Sequence, residues 1–201
     1  NRLDETSPHG MLAAVGVAFL LAVGLNRALR QQGWYATREE PDLTRLLDLV
    51  ALGTICDVVP LTGVNRALVA QGLKVMRSLG NTGIAALAEV AGVGERLDAY
   101  HAGFILGPRV NAGGRVGRAD AGTRLLSTDD ASEARALAQA LHQWNAERRD
   151  IEARVLEEAI AAVEAADATL PIAFVASEGW HPGVIGIVAG RLKDRYNRPA
   201  C

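Results

Sequence analysis

Three stretches of this 201-residue chain set together residue types that can do chemistry. The first is Gly107 to Arg118, GPRVNAGGRVGR, which places Arg109, Asn111, Arg115 and Arg118 among Gly107, Gly113, Gly114 and Gly117. Glycine removes the Cβ that keeps a ligand off the backbone, and arginine offers a planar fork of donors that matches two phosphate oxygens at once. A phosphate-gripping surface and a flexible solvated turn both fit this composition. The second is Asp57, just past a predicted helix and flanked by Ile55, Cys56, Val58 and Val59. A carboxylate in apolar surroundings must be paired, capped or bound to metal, because burying it alone is costly. A capping or turn aspartate ahead of Pro60 is the structural alternative, and one acid does not make a two-metal centre. The third is Gly179 to Gly183, GWHPG, between a predicted strand and a helix start. Free N–H groups at a helix N-terminus attract anions, His181 can donate to a phosphate oxygen, and Trp180 can stack on a base. The same five residues also suit a tight turn whose tryptophan joins the core and whose histidine caps the helix.

Weaker candidates follow. Asn145 and Arg149 lie four apart on a predicted helix beside Arg148 and share a face. They could track a nucleic-acid backbone, but an ordinary solvated face paired with Glu147, Asp150 and Glu152 is the better reading. His9, His101 and His142 stand alone and fit no ligand spacing.

The elements that must position these residues can be read from periodicity and punctuation. Ser7-Pro8 reads as a helix start, and the apolar run from Met11 to Leu25 leads to about Gln31. That run is shorter than the roughly 20 residues a membrane span needs, and acids rather than a basic cluster precede it. It is therefore expected to be a buried helix. A second helix is expected from Leu43 to about Gly53, with further helices over Asn65–Leu79 and Ile84–Val90. Ser127, Thr128, Asp129 and Asp130 supply capping groups and acids for a helix from Ala131 to about Ala166, free of glycine and proline. Its apolar stripe (Ala134, Leu137, Leu141, Trp144, Ile151, Val155, Ala159, Val163) is interrupted by Arg148. About 50 Å of helix exceeds the needs of one small domain, so a connecting helix is expected. Pro171–Ala176 reads as a buried strand and Val184–Tyr196 as a helix, the start of an α/β unit.

Composition narrows the function classes. With 49% hydrophobic residues and no low-complexity run, the chain is globular. A net charge of −2 excludes a generic polyanion binder, so any nucleic-acid contact must come from local arginines. Cys56 and Cys201 are too far apart in sequence to suggest a disulfide framework or metal cluster, and suit a reducing cytoplasm. Asn1 is not a start methionine and the chain stops after Arg198-Pro-Ala, which reads as a fragment of a longer protein.

Taken in order, four stretches resemble the exonuclease branch of the DHH phosphoesterase family. They are LVALGTICDVVPL (Leu49 to Leu61), GPRVNAGGR (Gly107 to Arg115), NAERRDIE (Asn145 to Glu152) and GWHPGVIGIVA (Gly179 to Ala189). The resemblance covers essentially the whole chain. It implies an α/β fold with the C-terminal part of a DHH domain over residues 1–64. A helical inter-domain region with the glycine–arginine motif would cover 65–126, a long connecting helix 127–168, and the start of a DHH-associated α/β domain 169–201. It implies removal of nucleotides from the 5′ end of single-stranded DNA with Mn2+ or Mg2+, in repair and recombination. Asp57 matches the family's fourth-motif metal ligand and thereby a catalytic position. Arg109, Asn111, Arg115 and Arg118 match the nucleic-acid path, and Trp180, His181 and Gly183 match a substrate-facing motif. The resemblance further implies a monomer that works in the cytoplasm on single-stranded DNA, away from membranes, beside a single-stranded-DNA-binding protein and a helicase. The first three DHH motifs, which hold the other metal ligands, are absent from the chain, as is the glycine-glycine-histidine motif of the associated domain. Two readings compete: a phosphodiesterase of short oligonucleotides or cyclic dinucleotides, and a non-catalytic nucleic-acid-binding module.

Overall fold

The structure, a computed structural model, describes residues 6–93, 96–166 and 170–201. Its helices are α1 (Ala14–Gln31), α2 (Leu47–Cys56), α3 (Gly63–Arg77), α4 (Thr82–Val90), α5 (Gly107–Val116), α6 (Ala121–Ser127), α7 (Ala131–Ala165) and α8 (Pro182–Tyr196). Short 3-10 turns precede α2, and a π-helical turn, His101–Leu106, runs directly into α5. Among the described residues the only strand-like pairing is a parallel bridge, Ala173 to Ala200. The expected strand over Pro171–Ala176 is thus reduced to two extended segments joined by backbone bonds from Ala173 to Pro199, Cys201 to Ala173 and Val175 to Cys201.

Contacts divide the chain into two units: residues 1–108 with 125–138, and residues 109–124 with 139–201. Helix α7 contributes to both. In the first unit α2 is the central element, with Val50, Ala51, Leu52 and Thr54 all buried. It lies flush on α3 because Gly72 has no side chain: a Cβ there would stand 2.6 Å from the Ala51 Cβ and overlap the Leu47 carbonyl. Asn81 caps α4 by accepting from the Ile84 N–H, while its amide donates to the Leu126 carbonyl.

Helix α1 departs from expectation. Residues 8–11 form turns, and within the helix only Gly16 and Asn26 are buried, while Val17, Leu20, Leu21, Val23 and Leu25 are exposed. An apolar helix buries only the face that has a neighbour, and here its contacts run to α2 and the turn after it. No helix among the described residues is long and apolar enough to cross a membrane.

The second unit closes on Val155, Ala159 and Val163 of α7, Val184, Val188 and Leu192 of α8, and Ala173. The α7 stripe drew this face correctly. Asp130 accepts from the Ser132 and Glu133 N–H groups, as its place at a helix start requires.

Candidate functional site

Asp57 closes α2: its N–H bonds the Gly53 carbonyl at 3.0 Å and its side chain is exposed. The burial argument for a metal or partner therefore does not apply, since a solvent-facing carboxylate pays no desolvation cost. A different signal marks the position. Val58 sits at φ 55° and is 86% exposed. A left-handed residue after a helix is ordinarily glycine, and a β-branched one costs about 1–2 kcal/mol. The loop beyond is tied down by Asn65, buried, whose amide donates to the Pro60 and Met11 carbonyls. Cys56 is half-buried; burial, and secondarily the Asp57 charge, pushes its thiol pKa up, which disfavours the thiolate. No group of three or more His, Cys, Asp or Glu able to hold a metal occurs among the described residues. Asp57 is a chemically suitable oxygen donor, but the described residues alone do not make up a divalent-metal centre, which needs several such ligands.

The glycine–arginine stretch is neither a turn nor a loop: Gly107–Val116 is α-helical. Its glycines serve packing. A Cβ on Gly107 would overlap the Cys56 sulfur. One on Gly113 would lie 2.6 Å from the Arg118 carbonyl, and one on Gly117 would enter the Trp144 ring. Gly114 alone of the four faces open space. Helix is thus enforced by tertiary fit on residues that disfavour it by up to about 1 kcal/mol each.

The arginines differ in availability. Arg109 is half-buried, and its Nε donates to His142 Nδ1 at 3.3 Å. Burial, then the nearby Arg149 charge, lowers its pKa, although a guanidinium stays charged. Asn111 and Arg115 are exposed, and Arg115 Nη1 donates to the Gly183 carbonyl at 3.1 Å. Arg118 is exposed but pairs with Asp120 at 2.9 Å.

The Trp-His-Pro-Gly loop follows its structural alternative. Trp180 packs against the second unit's core, and its Nε1 donates to Glu158 at 2.7 Å. His181 is the N-cap of α8, its Nδ1 accepting from the Gly183 N–H at 3.0 Å. In the neutral ring this leaves the proton on Nε2, a donor. The Val184 N–H bonds the His181 carbonyl, so two of the helix-start donors are already used. Gly183 is small for packing: a Cβ would overlap the Arg115 carbonyl.

Residues given least weight from sequence turn out to be the best organised. Asn145 is buried, not solvated. Arg148, in line with the apolar stripe, donates to Asn145 Oδ1 at 3.1 Å and to Glu152 at 2.5 Å. Arg148 and Glu152 are only 13% and 12% exposed, and Arg191 of α8 reaches Glu152 at 3.5 Å. Sequence reasoning treated Glu152 as one of three solvated acids and gave Arg191 no role. The available signal was an arginine inside an apolar stripe with an acid four residues on.

No family profile matches the chain. Over 99% of its length it is 45% identical to the single-stranded-DNA-specific exonuclease RecJ of Escherichia coli K12, and over 97% it is 41% identical to that of Bacillus subtilis 168. It spans 36% and 23% of those proteins, so it corresponds to about a third or less of their length. Among solved structures, RecJ from Thermus thermophilus in complex with Mn2+ aligns with a TM-score of 0.78 at 39% identity, covering 92% of this chain and 26% of that one. The Mg2+ complex aligns at 0.79. The chain is similar to a segment of RecJ along nearly its whole length.

Proposed function

We propose that this chain is the part of a 5′-to-3′ single-stranded-DNA exonuclease that grips the strand and contributes one metal ligand. The observation that supports this most is the 40–45% identity to RecJ exonucleases, extending over as much as 99% of the chain. Arg109, Asn111, Arg115 and Arg118 hold and neutralise phosphates, with Arg115 the most available and Arg118 weakened by Asp120. His181 donates from Nε2, while Trp180 and Gly183 shape the loop that carries it. Asp57 supplies one oxygen to Mn2+ or Mg2+, the ions that activate water against a phosphodiester when bound. Its remaining ligands would come from sequence outside this chain. The two extended segments around Ala173 and Ala200 would then begin a parallel sheet in an α/β associated domain. A monomeric cytoplasmic enzyme, working beside a single-stranded-DNA-binding protein and a helicase, completes the proposal.

The test is the full-length protein with Mn2+ and oligonucleotides labelled at one end. Stepwise release of nucleotides from the 5′ end of single strands is expected. Release from the 3′ end, or confinement to dinucleotides, would overturn the reading.

A further inference from the structure

Helix α7 carries a polar belt in the middle of its buried stripe: Asn145, Arg148 and Glu152, three and four residues apart, with Arg148 and Glu152 bonded to each other. A half-buried ion pair is a poor device for stability, because desolvation offsets most of its attraction. The Arg148 Nε is buried without a partner, a further cost. What the belt does is organise charge. Glu152 accepts a hydrogen bond from Arg148 through one oxygen and forms an ion pair with Arg191 of α8, at 3.5 Å, through the other. Arg191 remains 64% exposed, so most of its guanidinium faces solvent. Arg115 and Arg149 lie nearby and make no ion pair among the described residues. Burial, and then the positive charges of Arg115, Arg149 and Arg191, lowers the Arg148 pKa, against the opposite pull of Glu152. Arg115, Arg149 and Arg191, from α5, α7 and α8, thus lie around Arg148, and Arg191 also pairs with Glu152, within a single unit of the protein.

We propose that Arg191, held in place by the Arg148–Glu152 pair, forms with the exposed Arg149 a phosphodiester subsite that extends the proposed grip of Arg115 along a single strand. The proposal rests on the exonuclease reading above. Glu152 stands where a phosphate would compete: a carboxylate bridging two guanidiniums makes the contacts that phosphate oxygens make. It keeps the arginines ordered in the empty site and weakens attraction for DNA by its own charge. Arg148 and Glu152 are positioning residues; Arg191 and Arg149 touch the strand.

The experiment measures binding of the full-length protein to labelled oligothymidylate across a salt series, without divalent metal. Arg191→Gln should lower the slope of log affinity against log salt by about 0.7, the value for one lost single-strand phosphate contact. Arg191→Lys should restore the slope, since it keeps the charge. Glu152→Gln should tighten binding by roughly threefold to tenfold at low salt while lowering the melting temperature. Unchanged affinity and slope in Arg191→Gln and Glu152→Gln, in a protein whose wild type binds and degrades the strand, would overturn the subsite and leave the exonuclease reading intact. A lowered melting temperature alone would reduce the belt to a structural role. Failure of the wild type to bind the oligonucleotide would overturn both.

Discussion

The Asp57 loop and the arginine belt of α7 use their charged groups in opposite ways. Asp57 is exposed, stands outside any ligand cluster among the described residues, and is followed by the strained backbone of Val58. The belt buries its charges, pairs them and draws in residues from other helices. One carboxylate cannot hold two metal ions, whereas several arginines can bind a polyanion without outside help. On the function proposed above, the first region supplies a single element of the cutting machinery and the second belongs to the gripping surface.

The sharpest way to break that contrast is Asp57→Asn in the full-length enzyme. Metal-dependent cleavage should fall by about a hundredfold or more, while affinity for single-stranded DNA measured without metal stays the same. Cleavage at the wild-type rate would remove Asp57 from the metal centre. Gly117→Ala comes next. The added methyl runs into the Trp144 ring, so thermal unfolding should show a loss of about 1–3 kcal/mol, with weaker DNA binding. A variant as stable as wild type would show that the glycine is not there for packing. Arg115→Gln removes one proposed phosphate contact and the bond to the Gly183 carbonyl. Its salt slope should drop by about 0.7, and an unchanged slope would deny the contact.

Two smaller effects probe the Asp57 side. Val58→Gly relieves the left-handed strain and should raise stability by up to about 1 kcal/mol in denaturant titrations. A loss of stability would mean that the Val58 side chain contributes more than the strain costs. Asp48 is buried in α2, and desolvation raises its carboxyl pKa above the ordinary 3.8, against backbone N–H bonds that pull it down. The folded state therefore binds this proton more tightly than the unfolded chain does. The resulting contribution is fully present below the unfolded pKa and is lost as pH rises through the raised folded value. Asp48→Asn should raise the melting temperature near neutral pH and leave it unchanged in acid. A uniform shift across pH would refute a desolvated carboxylate.

Helices with strong local punctuation were legible in the sequence. The start of α7 was fixed by Asp130 and its end falls one residue from expectation, at Ala165. Helix α8 was read two residues short because Pro182 at its first turn was assigned to the loop. The glycine–arginine segment was expected as a phosphate-gripping surface or a flexible turn, and its helical conformation was not foreseen. Local propensity argues against helix there, and only the fit of Gly113 and Gly117 against Arg118 and Trp144 reverses it. The burial of α1 was overestimated for a related reason: an apolar run reports what a helix can bury, while burial depends on which neighbours it has.

By itself the sequence determined the residue types, their order and the periodic faces, because caps, stripes and motif spacing are local properties. Tertiary structure alone decided which charges meet. Arg191 joins the Arg148–Glu152 pair of α7 only when α7 and α8 close on Val155, Val184 and Val188. Packing likewise set Trp180 against the second unit's core and His181 at a helix cap, and left Arg115 facing solvent. The energy of a charged or aromatic side chain is set by its neighbours in space, and those neighbours are distant in the chain.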